Sequence, residues 1–284
     1  MNKRLGRNPS EEKDLNRRLK LENYFSLLPI PAATTWRNKA SKSLATVLGN
    51  DVYGDCVVVA GAHCTGVTSA NTHLEKVYTT KEITDIYFYL SGGRDNGLNM
   101  LYFLKYWKAT GIIGEKCGPY LAVPNDWDKI CAAISVFGPV FAAFAPVPNA
   151  WMESEIWDFP SRGAGGHAIA MVDYDKDYIY ISTWGDIRKL TRNGLSIFDE
   201  LYIVLDTDWI AKAPNGFNAH QLLEDFNALG GNDVVPPDPN PDPNPEPPGP
   251  VNPPPPPPKP DLPPFNWKSL LDLFLAILEL FKKK

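Results

Sequence analysis

The sequence predicts an α+β fold, helical in its first half and sheet-rich in its second. Three observations carry this. Residues 81–90, 99–108 and 127–137 space their apolar side chains as one-sided helices do. From residue 140 onward the pattern changes: 140–144, 167–174, 178–183 and 201–205 alternate, or run apolar and β-branched, as strands do. Helical segments also precede strands rather than interleaving with them, which excludes a regular βαβ repeat.

Composition permits a packed core. Hydrophobic residues make up 44% of 284 and charged residues 21%, with a net charge of −5. A balance this acidic excludes a whole-surface nucleic-acid binder, so no nucleic-acid partner is expected. The first twenty residues depart from it, with seven Lys/Arg against three Asp/Glu, and read as a solvated arm or one that docks on an acidic partner surface. The N-terminus lacks the apolar run of a secretory signal. Cys56, Cys64, Cys117 and Cys131 lack the spacing of a disulfide framework, so reduced thiols and a cytoplasmic location are expected, with virion association as a variant.

Four segments follow. Residues 1–33 are the charged arm and 34–230 the globular body. Residues 231–265 form a linker: 18 of the 28 prolines fall between Pro236 and Pro264. Proline fixes φ and donates no hydrogen bond, so this stretch is expected as an extended spacer of roughly 90 Å. Residues 266–284 read as an amphipathic helix. Lys268, Asp272, Ala276 and Glu279 occupy a narrow polar face, with Trp267, Leu270, Phe274, Ile277 and Phe281 among the apolar remainder. A face so wide needs a protein partner, self-association or a membrane interface.

Three local signals point to chemistry. Gly49-Asn50-Asp51-Val52-Tyr53-Gly54-Asp55-Cys56 is a polar turn running into a cysteine. The run after it is ambiguous, because Val57-Val58-Val59 favours a strand. His167 opens an apolar strand behind the glycine loop 163–166, and Ile181-Ser182-Thr183-Trp184-Gly185 closes another. Taken singly, a cysteine before an apolar run is more often a structural thiol than a nucleophile. No cofactor is expected, and the cysteines show no metal-ligand spacing with histidine. Asp173, six residues past His167, reads as a solvated strand end or a carboxylate supporting that histidine.

In order, these motifs resemble the papain family of cysteine peptidases. Thr35-Trp36-Arg37 is similar to the opening of the family's mature domain. Asn50 stands six residues before Cys56, where the family places its oxyanion-hole glutamine. The loop 92–97 resembles the one that binds extended substrate backbone. Val136-Phe137-Gly138-Pro139-Val140 resembles the entry to the sheet domain, His167-Ala168-Ile169 the family's His-Ala-Val, and 178–185 the strand that ends in Asn-Ser-Trp-Gly.

The resemblance covers roughly residues 33–206. It implies a papain-like fold, a peptide substrate, Cys56 as nucleophile and His167 as acid and base. It further implies Asn50 as oxyanion donor, Ser182 in place of the histidine-orienting asparagine, and Asn96, Gly97, Gly166 and Trp184 as substrate contacts. About thirty residues precede the domain, too few for a long inhibitory propeptide. A bacterial or bacteriophage setting would suit the reduced thiols. Alternatives of other classes are a non-catalytic module of the same fold in a larger assembly such as a virion, and a lytic enzyme with a membrane-active helix.

Overall fold

The structure, a computed structural model, describes residues 3–15, 18–23 and 30–205. The expected linker, 231–265, and the expected amphipathic helix, 266–284, lie outside the described residues.

The helical half is built around Cys56–Thr72, with Thr80–Leu90 and Met100–Ala109 beside it. The outer helices start where the sequence supplies caps. Thr79 and Glu82 form a reciprocal capping box, and the Asn99 side chain accepts from the Tyr102 amide at 2.6 Å. The Cys56–Thr72 helix is buried almost all round through its first three turns. Its apolar residues therefore show no one-sided period, and tertiary burial overrides the strand preference of Val57–Val59.

The other half is a seven-stranded sheet. Its spatial order is Tyr120–Ala122, Phe198–Val204, Val140–Phe144, His167–Tyr174, Ile179–Thr183, Asp186–Leu190 and Ile156–Trp157. All neighbours are antiparallel except the last pair. Alternation along the strands gives the sheet two apolar faces. Phe141, Ala143, Ala168, Ala170, Val172 and Tyr202 face the core of the Cys56 helix. Val140, Ala142, Phe144, Ile169, Met171 and Ile181 face the core of the Trp127–Phe137 helix. The α+β expectation and its order of halves are met.

Asp173 departs from both readings given above. It is fully buried, and it accepts from the Thr34 hydroxyl at 2.9 Å and the Trp36 and Arg37 amides at 2.7 and 3.2 Å. It ties the start of the domain to the sheet and supports no histidine. Asp173→Ala would orphan three donors together, so a stability loss of about 3 kcal/mol is expected in chemical denaturation.

Candidate active site

Cys56 is the first residue of its helix, and His167 is the first residue of the strand that this helix packs against. Small side chains make the approach close, because Ala168 and Ala170 present only methyl groups to the helix. The helix start therefore lies close to the strand's first residues, and the Ala168 amide is among the groups that favour the Cys56 thiolate.

The His167 ring is held on two sides. Its Nε2 lies 2.7 Å from the Thr183 hydroxyl, and Trp184 stacks on it at 4.3 Å between ring centroids. Trp184 holds a left-handed backbone, φ +49°, to present its indole there. Nδ1 is buried and makes no hydrogen bond, so it is the ring nitrogen left for other work.

Thr183, not Ser182, thus orients His167, which corrects the sequence expectation. The reason is the two-residue period of a strand. Ser182 pairs with Ala170 and points with it toward the helix, where its hydroxyl meets His63 Nδ1 at 2.9 Å. His63 Nε2 faces the Thr46 carbonyl at 3.1 Å, so this histidine is a satisfied core residue.

Asn50 also departs from expectation. Its amide donates to the Tyr53 carbonyl at 3.3 Å, bracing the loop before Cys56. That loop is tied to the one facing it. Asp95 accepts from the Gly54 amide at 2.8 Å and the Tyr87 hydroxyl at 2.6 Å, and Tyr87 accepts from the Gly97 amide at 3.0 Å.

The cleft between these walls is filled by residues 3–10 of the same chain. Arg4 donates to the Asn50 carbonyl and Arg7 to the Gly166 carbonyl, at 3.1 and 3.0 Å. Leu98 donates to the Gly6 carbonyl at 2.8 Å, Asn8 Nδ2 to the Asn96 carbonyl at 2.9 Å, and the Trp184 indole to the Arg4 carbonyl at 3.3 Å. The Arg7–Asn8 strand pairs in parallel with Leu98–Asn99. Asn96, Gly97, Gly166 and Trp184, the four expected substrate contacts, therefore all lie against this strap.

The strap passes only because Gly6 has no side chain. A Cβ there would sit 1.8 Å from the Gly54 carbonyl oxygen. Its fastening is an ion pair: Arg7 bridges the carboxylates of Glu200 and Asp199, the latter at 2.9 Å. Arg7 is 4% exposed and Glu200 1%. Residues 3–10 of the arm are thus packed on their own domain, and no sequence signal marks Thr183, Asp95 or Glu200 for these positions.

Closure sets the protonation states. Cys56 is 1% and His167 0% exposed. Burial pushes the Cys56 thiol up to about 12, aided by the neighbouring Asp55, against the amides of Ala168 and Gly6 and the charge of Arg7. Burial, then Arg188, lowers His167 to about 3. The closed site holds a thiol and a neutral imidazole. Burial likewise raises Asp55 to about 8, the Asn50 amide offsetting this only in part.

No protein-family model matches the chain, and no curated protein matches it by sequence. Solved structures do match. A crystal structure of xylellain, a cysteine protease from Xylella fastidiosa, aligns with a TM-score of 0.53 at 15% identity, covering 72% of this chain and 97% of that one. The Carica candamarcensis cysteine protease CMS1MS2, solved in complex with E-64, gives 0.50 at 18% identity over 62% and 99%. A structure from work on the mite allergens Blo t 1 and Der p 1 gives 0.50 at 15% over 69% and 83%. The described chain has the papain-like cysteine protease fold.

Asp55 makes the site's stability depend on pH. A carboxyl raised from 3.8 to about 8 keeps its proton across that window while the unfolded chain releases its own, so stability is lost as pH rises through it. Asp55→Asn removes the ionisation at constant shape. The stability of this variant relative to the unmodified chain, read from denaturation curves, is expected to rise by several kcal/mol at pH 8 and to change little at pH 4.

Proposed function

We propose that this chain is a latent thiol peptidase whose nucleophile is Cys56 and whose general base is His167, held closed by residues 3–10. The observation that carries the reading is the His167 ring. Thr183 and Trp184 fix its orientation, Nδ1 makes no hydrogen bond, and the strand that His167 opens packs against the helix that Cys56 starts.

Opening the strap admits water and removes the burial that now disfavours both charges. Proton transfer from the Cys56 thiol to His167 Nδ1 then gives thiolate and imidazolium, favoured by the helix N-terminus and the Ala168 amide. The thiolate attacks the substrate carbonyl carbon, and backbone amides of the first helical turn receive the oxyanion. The C–N bond breaks as His167 protonates the leaving amine. Water, deprotonated by His167, then releases the acid from the thioester. Thr183 accepts from Nε2–H throughout and leaves Nδ1 as the nitrogen that exchanges the proton. The fold of the solved cysteine proteases supports the reaction class. Residues 266–284 would tether the domain to a partner or surface, a role supported by their sequence pattern alone.

A non-catalytic module of the same fold is the second reading, favoured by the fully buried, uncharged pair. Gly6→Val in the full chain separates the two, since its side chain cannot fit under Gly54. Alkylation of Cys56 is expected to quicken by at least about 100-fold, the factor that a strap costing about 3 kcal/mol to open implies. Cys117 and Cys131 should keep their rates, and peptide hydrolysis should appear. Arg7→Ala, which only unfastens the strap, should act in the same direction. Labelling without hydrolysis would select the non-catalytic module. In the opened chain Thr183→Val is expected to lower kcat about 100-fold, whereas Ser182→Ala costs about 1 kcal/mol of stability and spares kcat.

A further inference from the structure

The fastening of the strap describes a binding pocket with its ligand in place. Arg7 sends its side chain between Asp199 and Glu200 while its amide donates to the Gly166 carbonyl. Glu200 is presented by two further bonds: one carboxylate oxygen accepts from the Ser10 amide at 3.0 Å and the other from the Tyr202 hydroxyl at 3.1 Å. The arginine stem lies on Gly166, where any side chain would collide with the Arg7 carbonyl at 2.3 Å. Two carboxylates face the Arg7 guanidinium, and Arg18 lies near the Tyr202 hydroxyl behind them, so removing Arg7 leaves the pocket with more negative charge than positive. Asp199 reflects this: its pKa is raised, by burial first, with Glu200 adding to the rise and Arg7 opposing it.

The pocket also adjoins the chemistry. Gly6, the residue before Arg7, lies near Cys56, where its amide favours the thiolate, and Gly166 immediately precedes His167. An extended peptide that pairs with Gly166 and Leu98, as the strap does, places one side chain in this pocket and a neighbouring peptide group at the nucleophile.

We infer that the Asp199/Glu200 pocket is a specificity pocket for an arginine side chain of the peptide substrate, and that Arg7 occupies it as an internal substitute. The inference rests on the peptidase reading for its consequence, and on the ion-pair geometry for its ligand. Guanidinium spans two carboxylates with separate N–H groups, whereas ammonium meets one as a point charge, so lysine should be the weaker occupant.

The test uses the full chain carrying Gly6→Val and Arg7→Ala, which empties the pocket without truncation. Blocked octapeptides of residues 3–10, with Arg, Lys, citrulline or Leu at the position of Arg7, are compared as protectants of Cys56 against iodoacetamide. This readout needs binding and no turnover. The arginine peptide is expected to protect at a concentration at least about 10-fold below the citrulline peptide, which keeps the shape and loses the charge. Asp199→Asn, a partly exposed position safe to change, should narrow that gap, and adding Glu200→Gln should close it.

Equal protection by arginine and citrulline peptides, protection by none of them, or a preference that survives both substitutions would overturn the pocket. Protection ranked as expected without hydrolysis of any peptide would leave the pocket standing and sink the peptidase reading instead. Hydrolysis without arginine preference would do the reverse.

Discussion

Close packing of the Cys56–Thr72 helix on the His167–Tyr174 strand is the constraint from which the site follows. Alanines at 168 and 170 bring the helix start against the strand's first peptide units, where the Ala168 amide favours the Cys56 thiolate. Larger side chains there would lift the helix and separate Cys56 from His167 before any catalytic group changed. The opposite face of the same strand packs Ile169 and Met171 on the Trp127–Phe137 helix, so the sheet is clamped from both sides. A rigid strand clamped in this way is a suitable mount for an imidazole that must hold its direction.

The strap adds a second layer to this arrangement. It meets the cleft mostly through backbone, which pairs with Asn50, Gly166 and Leu98, and through side chains that include Asn8 and the buried Arg7. Backbone pairing is tolerant of sequence, so the identity of the occupant is set at two places. Gly6 is demanded by the narrow passage under Gly54, and Arg7 by the paired carboxylates. On the proposed reading, latency and recognition are one set of contacts, because the strap that covers the thiol also fills the pocket beside it. The protonation states follow from that exclusion, and either group can take its charge only once the strap lifts.

Much of the fold was legible because its signals are local. The 127–137 helix and the 140–144 and 167–174 strands have the bounds expected from periodicity alone. The Cys56 helix was ambiguous for a physical reason: burial all round erases the period that marks a helix. Cys56, His167 and the glycine loop could be placed from the order of motifs. Thr183 could not, since counting back from Trp184 lands on Ser182, and one residue along a strand is the opposite face. The arm looked solvated because charge suggests water. Its arginine is buried by two carboxylates nearly two hundred positions away in sequence, a pairing invisible to any local pattern.

The account turns on whether Cys56 is guarded by the strap alone. The most direct measurement follows Cys56 alkylation in the unmodified chain at rising iodoacetamide concentration, alongside hydrogen exchange of the amides that pair strap and cleft. The expected result is a rate that saturates at a plateau matching the exchange of the Arg7 and Leu98 amides, with Cys117 unmodified on that timescale. A rate that shows no plateau, with Cys56, Cys117 and Cys131 modified together, would mean that only global unfolding exposes the thiol. That result would contradict the latch.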